Sequence, residues 1–393
     1  MNMKIKKKKK KKILQIGKYY FPFQGGIENI VQNISEGLYH DGHTVEVLCS
    51  AQKAKNEYDE VNKIKITRTA RLLTLFSQPI LPFLFFHLWK ALKGKDIIHL
   101  HSPNPLAEIM TLLIPSKIPI VITYHSDIVR QKTLLLFYRP FLMMALKKAK
   151  AIIVPTQNHI KYSPFLPKFE EKCHIVPFGQ KMDYLVRTQK TDLLINQLKK
   201  DHGRFVLFVG RVVGYKGLTY LISAMKNSPY HCVIIGSGPL EEELKQQIKN
   251  QNLEHKVSML GKVMDDELFK AYFYACEAFI LPSISANENF GVVQIEAMYC
   301  ERPVITTSIK SGVPAVGIPN KTTLLVPPKN PNALCEAMSK LYHNDILRKS
   351  LGKEGKKRAD MIYTLDKMIQ GHNQVYDLVS KAQHLMSDKE TAA

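Results

Sequence analysis

The sequence predicts two successive α/β domains, each built on a parallel sheet. Apolar runs of strand length alternate with amphipathic segments of helix length along most of the chain, an order typical of parallel sheets. The pattern starts afresh near residue 204, and a chain of 393 residues is too long for one ordinary domain. We therefore predict two Rossmann-like domains that face a central cleft.

The first predicted domain covers residues 1–185. Its opening strand, ILQIGKYY, precedes a loop with two glycines and a helix whose apolar residues recur on one face from Ile27 to Leu38. The strands predicted to follow are HTVEVLC, IIHLH, IPIVITYH, AIIVP and CHIVPFG.

The second predicted domain covers residues 186–370. Its predicted strands are RFVLFVGRV, HCVIIGSG, KVSMLGKV, AFILPS, PVITTS and TTLLVPP. We expect residues 371–393 to form a C-terminal helix and tail that packs back on the first domain.

The positive charge is concentrated in the first half. Residues 1–190 hold 31 Lys/Arg and 13 Asp/Glu, a balance of +18 within a total of +22. Such a field suggests a polyanionic partner, either nucleic acid or an anionic lipid surface. Seven consecutive lysines at residues 6–12 contribute to it, and a solvated, frayed terminus explains that run equally well.

The six cysteines are scattered, without a C-x-x-C pair or the spacing of metal ligands. This argues against a disulfide framework and a structural zinc site, and fits a reducing cytoplasm. A secretory signal is disfavoured because the apolar stretch after the lysines runs only from Ile13 to Ile16.

Two apolar segments bear on membrane association. Residues 72–89 carry no formal charge, but Pro79 and Pro82 would interrupt a spanning helix. We predict a helical connection that lies against the core or dips into a membrane surface. Residues 130–150 interleave Arg and Lys with Leu, Phe and Met, as interfacial helices do, and core packing explains their apolar residues equally well.

Two glycine-bearing loops follow predicted strands. Gly25 and Gly26 would let a backbone approach a ligand at the start of a helix, although a simple turn is the commoner explanation. In the second domain, Arg211 and Lys216 straddle the loop GRVVGYKGL, where a guanidinium and an ammonium suit a diphosphate. Two ordinary surface cations are the alternative. The glycine patterns of dinucleotide-binding oxidoreductases and P-loop enzymes do not occur.

The strongest motif is ENFGVVQIEAM, in which Glu288 and Glu296 are eight positions apart. We expect a helix to start near Phe290, with Gly291 leaving its N-terminus open to a phosphate. The two carboxylates would then accept hydrogen bonds from hydroxyls on either side, one set on a sugar and one on a ribose.

Histidines follow two strands of the first domain. His125 and Asp127 end the strand VITYHSD, where the cleft would lie. A lone histidine is more often structural than catalytic, but this position after a strand raises the odds of a catalytic role. His99 and His101 form an H-x-H pair without an evident third metal ligand, so we interpret them as structural or as acceptor-side residues.

Together these motifs resemble the retaining glycosyltransferases of family four with the two-domain GT-B architecture, a class that contains bacterial mannosyltransferases. The resemblance runs from about residue 13 to residue 380. The segments that carry it are GGIENIVQNISEGLYHDGHTVEVLC, VITYHSDIVRQ, VGRVVGYKGLTYLISAM, IIGSGPLEEELK and ENFGVVQIEAMYCERPVI.

The resemblance implies a role for each motif. Arg211 and Lys216 would bind the donor diphosphate, Glu288 the donor sugar, Glu296 the ribose, and His125 the reacting sugar. Gly25 and Gly26 would lie near the donor diphosphate and the acceptor. The residues implied to line the rest of the donor site are Phe290, Gly291 and Val292, with their backbone against the phosphates, and Gly236, Gly238 and Glu242 around the base. Tyr299 and Glu301 depart from the family pattern, which leaves the sugar preference open.

The predicted reaction transfers a hexose from GDP-mannose or a UDP-hexose to a glycan or lipid-linked acceptor, by a front-face displacement that retains configuration. No D-x-D triplet occurs, so we predict that neither a metal nor a cofactor is needed. We expect a cytoplasmic protein, peripheral on the inner face of the membrane, that binds an anionic surface and no nucleic acid. The alternatives are a basic nucleic-acid-binding protein, a glycogen or starch synthase-like enzyme with a polymer acceptor, and a phosphorylase or epimerase of the same architecture.

Overall fold

The computed structural model describes residues 10–23, 25–75, 78–128 and 132–391. The strands are β1 Lys12–Ile16, β2 Thr44–Ser50, β3 Glu57–Val61, β4 Ile64–Thr69, β5 Leu73–Leu75, β6 Gln78–Ile80, β7 Ile97–Ser102, β8 Ile120–Tyr124, β9 Ala151–Val154, β10 Cys173–Ile175, β11 Phe205–Val209, β12 His231–Ile235, β13 Val257–Met259, β14 Ala278–Leu281, β15 Val304–Thr307 and β16 Thr323–Val326. The α-helices are α1 Gly26–His40, α2 Leu84–Ala91, α3 Pro105–Thr111, α4 Lys132–Lys148, α5 Gln157–Tyr162, α6 Gln189–His202, α7 Leu218–Ala224, α8 Glu241–Asn250, α9 Asp266–Ala275, α10 Val293–Tyr299, α11 Val313–Val316, α12 Pro331–His343, α13 Asp345–Ile362 and α14 Leu365–Thr391.

The chain divides into two compact units. The first contains the residues up to Pro155, Ser163–Gln180 and the residues from Leu365 onward; the second contains Thr156–Tyr162 and Lys181–Thr364. The boundary predicted at 185/186 thus lies at 180/181. The C-terminal element begins at Leu365, ahead of the predicted 371, because α14 is one continuous helix that belongs to the first unit.

Each unit is built on a largely parallel sheet, as the alternation of strands and helices predicts. The first sheet has the strand order β10-β9-β8-β7-β1-β2-β4-β3, in which only the β3–β4 pair is antiparallel. The second has the order β13-β12-β11-β14-β15-β16 and is parallel throughout. The central strands are apolar and buried, as sheets covered on both faces require.

The C-terminal helix α14 packs on α1 in the first unit. A Cβ on Gly37 would lie 2.5 Å from the Ile369 side chain, so glycine permits this close approach. The His43 Nε2 atom lies 2.8 Å from Asn373 Oδ1. Lys11 is buried and pairs with Asp377 of the same helix. The end of the lysine run therefore has a structural role, while residues 6–9 lie outside the described part of the chain.

The apolar segment 72–89 contains a pair of antiparallel strands followed by a helix. Strands β5 and β6 pair antiparallel, and α2 begins at Leu84. The prediction of a helical connection is therefore wrong for its first half, since prolines at 79 and 82 remove backbone donors and a helix forms only after them. Within the described ranges, no helix is both long and apolar enough to cross a bilayer.

Candidate active site

In the second unit, the loops that follow β11 and β12 lie side by side. The Val212 N–H donates to the Ser237 carbonyl oxygen at 3.0 Å. A Cβ on Gly236 would stand 1.9 Å from the Gly210 carbonyl oxygen, and one on Gly238 would stand 2.2 Å from that of Val212. Gly236 also has a φ of +132°. Both predicted glycines are therefore required by this close approach.

The same strand ends bring Lys216 and Glu288 together. Lys216 ends a 3₁₀ turn, and Gly217 follows with φ +71°. A Cβ on Gly217 would lie 2.1 Å from the Pro282 carbonyl oxygen, so this turn packs directly on the chain that leaves β14. The Lys216 ammonium forms an ion pair with the Glu288 carboxylate, and both side chains are buried.

Arg211 lies on the same loop, next to Gly210, and its side chain is exposed. A Cβ on Gly210 would be 3.5 Å from Lys216 Nζ, so the loop backbone passes close to the ammonium. The structure thus places one buried and one exposed cation on the loop predicted to bind a diphosphate.

Glu296 lies on α10 beside Tyr184, with which it shares a hydrogen bond. Burial raises the pKa of Glu296 to about 7, and the Tyr184 hydroxyl opposes this by stabilising the carboxylate. The pKa of Tyr184 is raised by burial and by the carboxylate. Tyr184 precedes the second sheet in the chain, and no sequence pattern pointed to it.

The helix predicted to start near Phe290 begins at Val293. The helix starts later than predicted because Gly291 has a φ of +69°, which lies outside the helical region. A Cβ on Gly291 would also lie 2.5 Å from Leu281 Cδ2. Phe290 is buried with its ring centroid 6.1 Å from that of Tyr363, so both residues have packing roles. Val292 is half-buried and immediately precedes the helix.

Glu242 lies in the first turn of α8, where its side chain is 86% exposed and pairs with Lys245 at 2.8 Å. The structure therefore directs this carboxylate into solvent, although Gly236 and Gly238 lie nearby in the chain.

Two positions that depart from the family pattern lie at the end of α10. The Lys356 ammonium sits 3.7 Å from the centroid of the Tyr299 ring. Glu301 adopts φ +57°, and its carbonyl oxygen would lie 2.1 Å from a Cβ on Gly352. These contacts are made to α13 and give both residues a role in packing.

In the first unit, α1 begins at Gly26 after an extended Gly25. A Cβ on Gly25 would stand 2.2 Å from Glu28 Oε2, the end of a flexible side chain, whereas Gly26 is open. Burial raises the pKa of Glu28. Sequence reasoning placed the two glycines at the helix start and did not single out Glu28.

His125 follows β8 and is buried. Its ring stacks on Phe178 with centroids 5.2 Å apart, and its Nε2 lies 3.0 Å from Nδ1 of His101. Asp127 Oδ1 accepts hydrogen bonds from the Tyr124 hydroxyl at 2.6 Å and from Ser163 Oγ at 2.8 Å. Burial raises the pKa of Asp127, and its two hydroxyl partners make it a structural carboxylate.

Comparison with known proteins assigns both units. The family model "Glycosyltransferase Family 4" matches residues 24–179, and "Glycosyl transferases group 1" matches residues 190–358. The D-rhamnosyltransferase WbpZ of Pseudomonas aeruginosa is 33% identical over 269 residues, which cover 68% of this chain and 70% of that protein. The chain belongs to glycosyltransferase family 4.

Other relatives of this glycosyltransferase span nearly its whole length. The O-antigen chain mannosyltransferase C of Escherichia coli is 28% identical over 373 residues, covering 93% of this chain and 98% of the relative. The crystal structure of HepE from Anabaena in complex with UDP superposes with a TM-score of 0.77 at 19% identity, over 94% of this chain and 100% of that one. The predicted GT-B fold class is thereby confirmed, and the protein is a hexosyltransferase.

The glycosyltransferase has a buried histidine near the ENFGVVQIEAM motif that sequence reasoning missed. His159 lies in Thr156–Tyr162, the short segment that belongs to the second unit. Its Nδ1 lies 2.8 Å from Thr156 Oγ1. A Cβ on Gly312 would lie 2.2 Å from His159 Cε1 and 2.6 Å from the Asn289 carbonyl oxygen, so His159 and Asn289 both lie close to Gly312. Burial lowers the pKa of His159 to about 4, so the ring is neutral. Only the tertiary fold brings this residue beside the ENFGVVQIEAM motif.

No group of three or more metal-ligating side chains occurs among the residues described for this glycosyltransferase. The H-x-H pair, His99 and His101, is buried in contacts with other polar side chains.

Proposed function

We propose that this glycosyltransferase transfers a hexose from GDP-mannose or a UDP-hexose to a glycan or lipid-linked acceptor in the synthesis of bacterial cell-surface polysaccharide or glycolipid. The observation that carries the proposal is the buried ion pair of Lys216 and Glu288 at the strand ends of the second unit. The relatives support the biological setting, since they are named as an O-antigen mannosyltransferase and a D-rhamnosyltransferase. HepE, crystallised with UDP, supports a nucleotide-sugar donor.

The pair suits a donor that carries both hydroxyls and negative charge. An ammonium has three N–H donors, so Lys216 can keep Glu288 as one partner and bind phosphate oxygens with the others. The Glu288 carboxylate has further acceptor capacity for sugar hydroxyls. Arg211 supplies a planar fork for the same diphosphate, and the backbone of Phe290, Gly291 and Val292 adds N–H groups.

The mechanism that we propose is a front-face displacement with retention of configuration. The bond between the anomeric carbon and the diphosphate oxygen breaks, and the acceptor oxygen bonds to the same face of that carbon. The acceptor proton moves to the departing phosphate oxygen. Lys216 and Arg211 stabilise the negative charge that develops on the leaving group, and preorganised charges of this kind are commonly the largest contribution to catalysis.

Glu296 fits the ribose of the donor. Its carboxylate accepts hydroxyl hydrogen bonds when ionised, and its pKa of about 7 lets donor binding shift it to that form. Tyr184 holds the carboxylate in place. For the first unit, we propose acceptor binding, with His125 contacting the reacting sugar.

An exposed aromatic surface on the first unit supports peripheral binding to the inner face of the membrane. We define it as Phe83, Phe85, Phe86 and Trp89, of which Phe86 is 68% and Trp89 is 52% exposed. Lys90 and Lys93 are exposed beside it. Aromatic rings next to lysines favour the interface of an anionic bilayer, where each basic residue contributes roughly 1 kcal/mol.

The donor is tested by thermal unfolding with UDP, GDP, ADP and their sugar conjugates. The preferred nucleotide sugar raises Tm by an amount that grows with the logarithm of its concentration over its Kd. Arg211→Ala should abolish most of that rise, because the variant lacks the guanidinium that we propose to bind the diphosphate. Arg211 is exposed, so its loss should spare the fold. Lys249→Ala, exposed on α8, should keep it.

Product analysis tests the reaction itself. Transfer of the sugar with its anomeric configuration retained, to a lipid-linked or glycan acceptor, is expected. Inverted product would contradict the front-face mechanism, and preferential extension of a glucan polymer would favour the synthase-like alternative. No Tm increase with any nucleotide sugar would overturn the donor assignment.

A further inference from the structure

A row of buried polar side chains lies on one face of the first sheet. Gln15 of β1 is in register with His99 of β7, and His101 of β7 is in register with Thr123 of β8. Side chains alternate along a strand, so these four share a face, and His125 lies two positions after Thr123. All five are almost completely buried.

Helix α14 adds Tyr376 and His372 to this row. Both are fully buried, and they are four positions apart on one face of the helix. The Tyr376 hydroxyl lies 2.6 Å from Nδ1 of His99 and 3.5 Å from Nε2 of Gln15. The ring of His372 is 5.6 Å from that of His99, and its Nδ1 bonds to the Met368 carbonyl oxygen at 2.8 Å.

The hydrogen bonds form one continuous chain from His125 to Thr123. His125 Nε2 contacts His101 Nδ1 at 3.0 Å, and His101 Nε2 contacts Gln15 Oε1 at 2.8 Å. Gln15 then donates to the Tyr376 hydroxyl, which contacts His99 Nδ1. His99 Nε2 ends the chain at Thr123 Oγ1, 2.7 Å away.

The amide of Gln15 sets the direction of the whole chain. Its Oε1 is only an acceptor, so Nε2 of His101 must carry the proton. A neutral His101 then has its lone pair on Nδ1, and Nε2 of His125 must donate to it. On the other side, the Gln15 amide donates to Tyr376, whose O–H then donates to His99.

His99 and His101 are held neutral, and so is the neighbouring His372. Burial lowers the pKa values of His99 and His101 well below their ordinary range, and the neighbouring histidines lower them further. The pKa of His372 falls to about 4 for the same reason, burial. Neutral imidazoles have one donor and one acceptor nitrogen each, which the directional chain requires.

We propose that His101, Gln15 and Tyr376 are positioning residues that keep His125 in the tautomer with its proton on Nε2 and its lone pair on Nδ1. This inference rests on the proposed function of His125 as the residue that contacts the reacting sugar. In this tautomer, Nδ1 is a hydrogen-bond acceptor and not a donor. The C-terminal helix thus acts on the chemistry through Tyr376, which is three hydrogen bonds away from His125, by way of Gln15 and His101.

The tautomer is measured by NMR on full-length protein labelled with ¹⁵N-histidine, in the absence of any donor. His125 and His101 are expected to show a protonated Nε2 and an unprotonated Nδ1, with assignments from His125→Phe and His101→Phe. A proton on Nδ1 of His125 would overturn the proposal. Because no substrate is present, this result does not depend on the proposed reaction.

Tyr376→Phe tests the distant end of the chain. Without the hydroxyl, the Gln15 amide no longer has a preferred orientation, and the His125 ring signals should shift towards a mixture of tautomers. We expect kcat to fall by about 10–100-fold, by analogy with the loss of partners that orient metal-ligating histidines. Tyr230→Phe is the matched control, since Tyr230 is equally buried in the second unit and should leave the ring signals and kcat unchanged.

The outcomes separate the inference from the proposed function. Unchanged ring signals in Tyr376→Phe would overturn the positioning role, as would altered signals with an unchanged kcat. Altered signals and a loss of kcat, at a Tm similar to that of Tyr230→Phe, would support it. If the protein transfers no sugar at all, the proposed function fails, while the tautomer measurement still stands by itself.

Discussion

The Lys216 ammonium is paired with the Glu288 carboxylate, and the two side chains are only 10% and 11% exposed. Each charge therefore depends on the other, because a buried ion that loses its partner keeps the cost of its desolvation. The pair is at once part of the proposed donor site and part of the packing between the loops after β11 and β14.

Breaking this pair should affect stability as well as catalysis. Lys216→Ala and Glu288→Ala should each lower the free energy of unfolding by roughly 3–5 kcal/mol, since each leaves an uncompensated buried charge. The double variant Lys216→Met/Glu288→Leu should recover much of this loss and remain inactive. Thermal unfolding and initial rates measure both effects. A double variant that turns over substrate, or that is as unstable as the single ones, would contradict this explanation.

The raised pKa of Glu296 predicts a pH-dependent stability. Its folded-state pKa of about 7 exceeds the ordinary value of 4.5, so between these values the folded state binds more protons than the unfolded state. The free energy of unfolding therefore falls as the pH rises through this window. Glu296→Gln removes that effect, so its Tm should rise relative to the native protein from about pH 5 to about pH 8. Glu243→Gln, exposed on α8, should show a constant difference; a constant difference for Glu296→Gln would refute the assigned pKa.

Glycine substitutions test the close contact between the loops after β11 and β12. Gly236→Ala and Gly238→Ala place a Cβ within 1.9 and 2.2 Å of carbonyl oxygens of the neighbouring loop, so that loop must move. We expect a large increase in KM for the donor in steady-state assays. Gly214→Ala is the control, because its Cβ would meet only Leu240 Cδ1 at 3.8 Å. Equal KM values for all three variants would mean that these loops do not shape the donor site.

Sequence periodicity predicted the two sheets and the loops that follow their strands, since parallel strands align their carboxyl ends and place the residues after them at one edge. Lys216 and Glu288 were found in this way although 72 positions separate them. Tyr184, His159 and Tyr376 could not be found, because each reaches its partner from an element outside the local motif. Phe290 and Gly291 were identified by their motif, but their inward packing depends on contacts with Tyr363 and Leu281 that no local pattern contains.

The aromatic surface of α2 should control binding to lipid. Phe86→Ser/Trp89→Ser removes two exposed rings and should lower co-flotation with phosphatidylglycerol vesicles by about tenfold or more, given about 25 cal/mol for each Å² of apolar surface buried. Leu193→Ser/Ile346→Ser removes apolar side chains of 73% and 85% exposure from the second unit and should float like the native protein. Equal flotation of both variants would mean that the membrane contact lies elsewhere. Flotation of the native protein that persists at high salt would argue against a role for Lys90 and Lys93, because salt screens their attraction to the lipid.

Transfer should continue when divalent cations are removed. The proposed site neutralises the leaving diphosphate with Lys216 and Arg211, two fixed positive charges that supply what a bound divalent cation supplies in other transferases. Initial rates in excess EDTA should therefore match those in magnesium or manganese. The same argument predicts that Arg211→Ala lowers kcat by about 100-fold and that added manganese restores only part of it, because a diffusing ion lacks the fixed position of the guanidinium. Complete loss of turnover in EDTA with recovery in manganese would show that a metal, and not the cationic loop, carries the charge of the departing diphosphate.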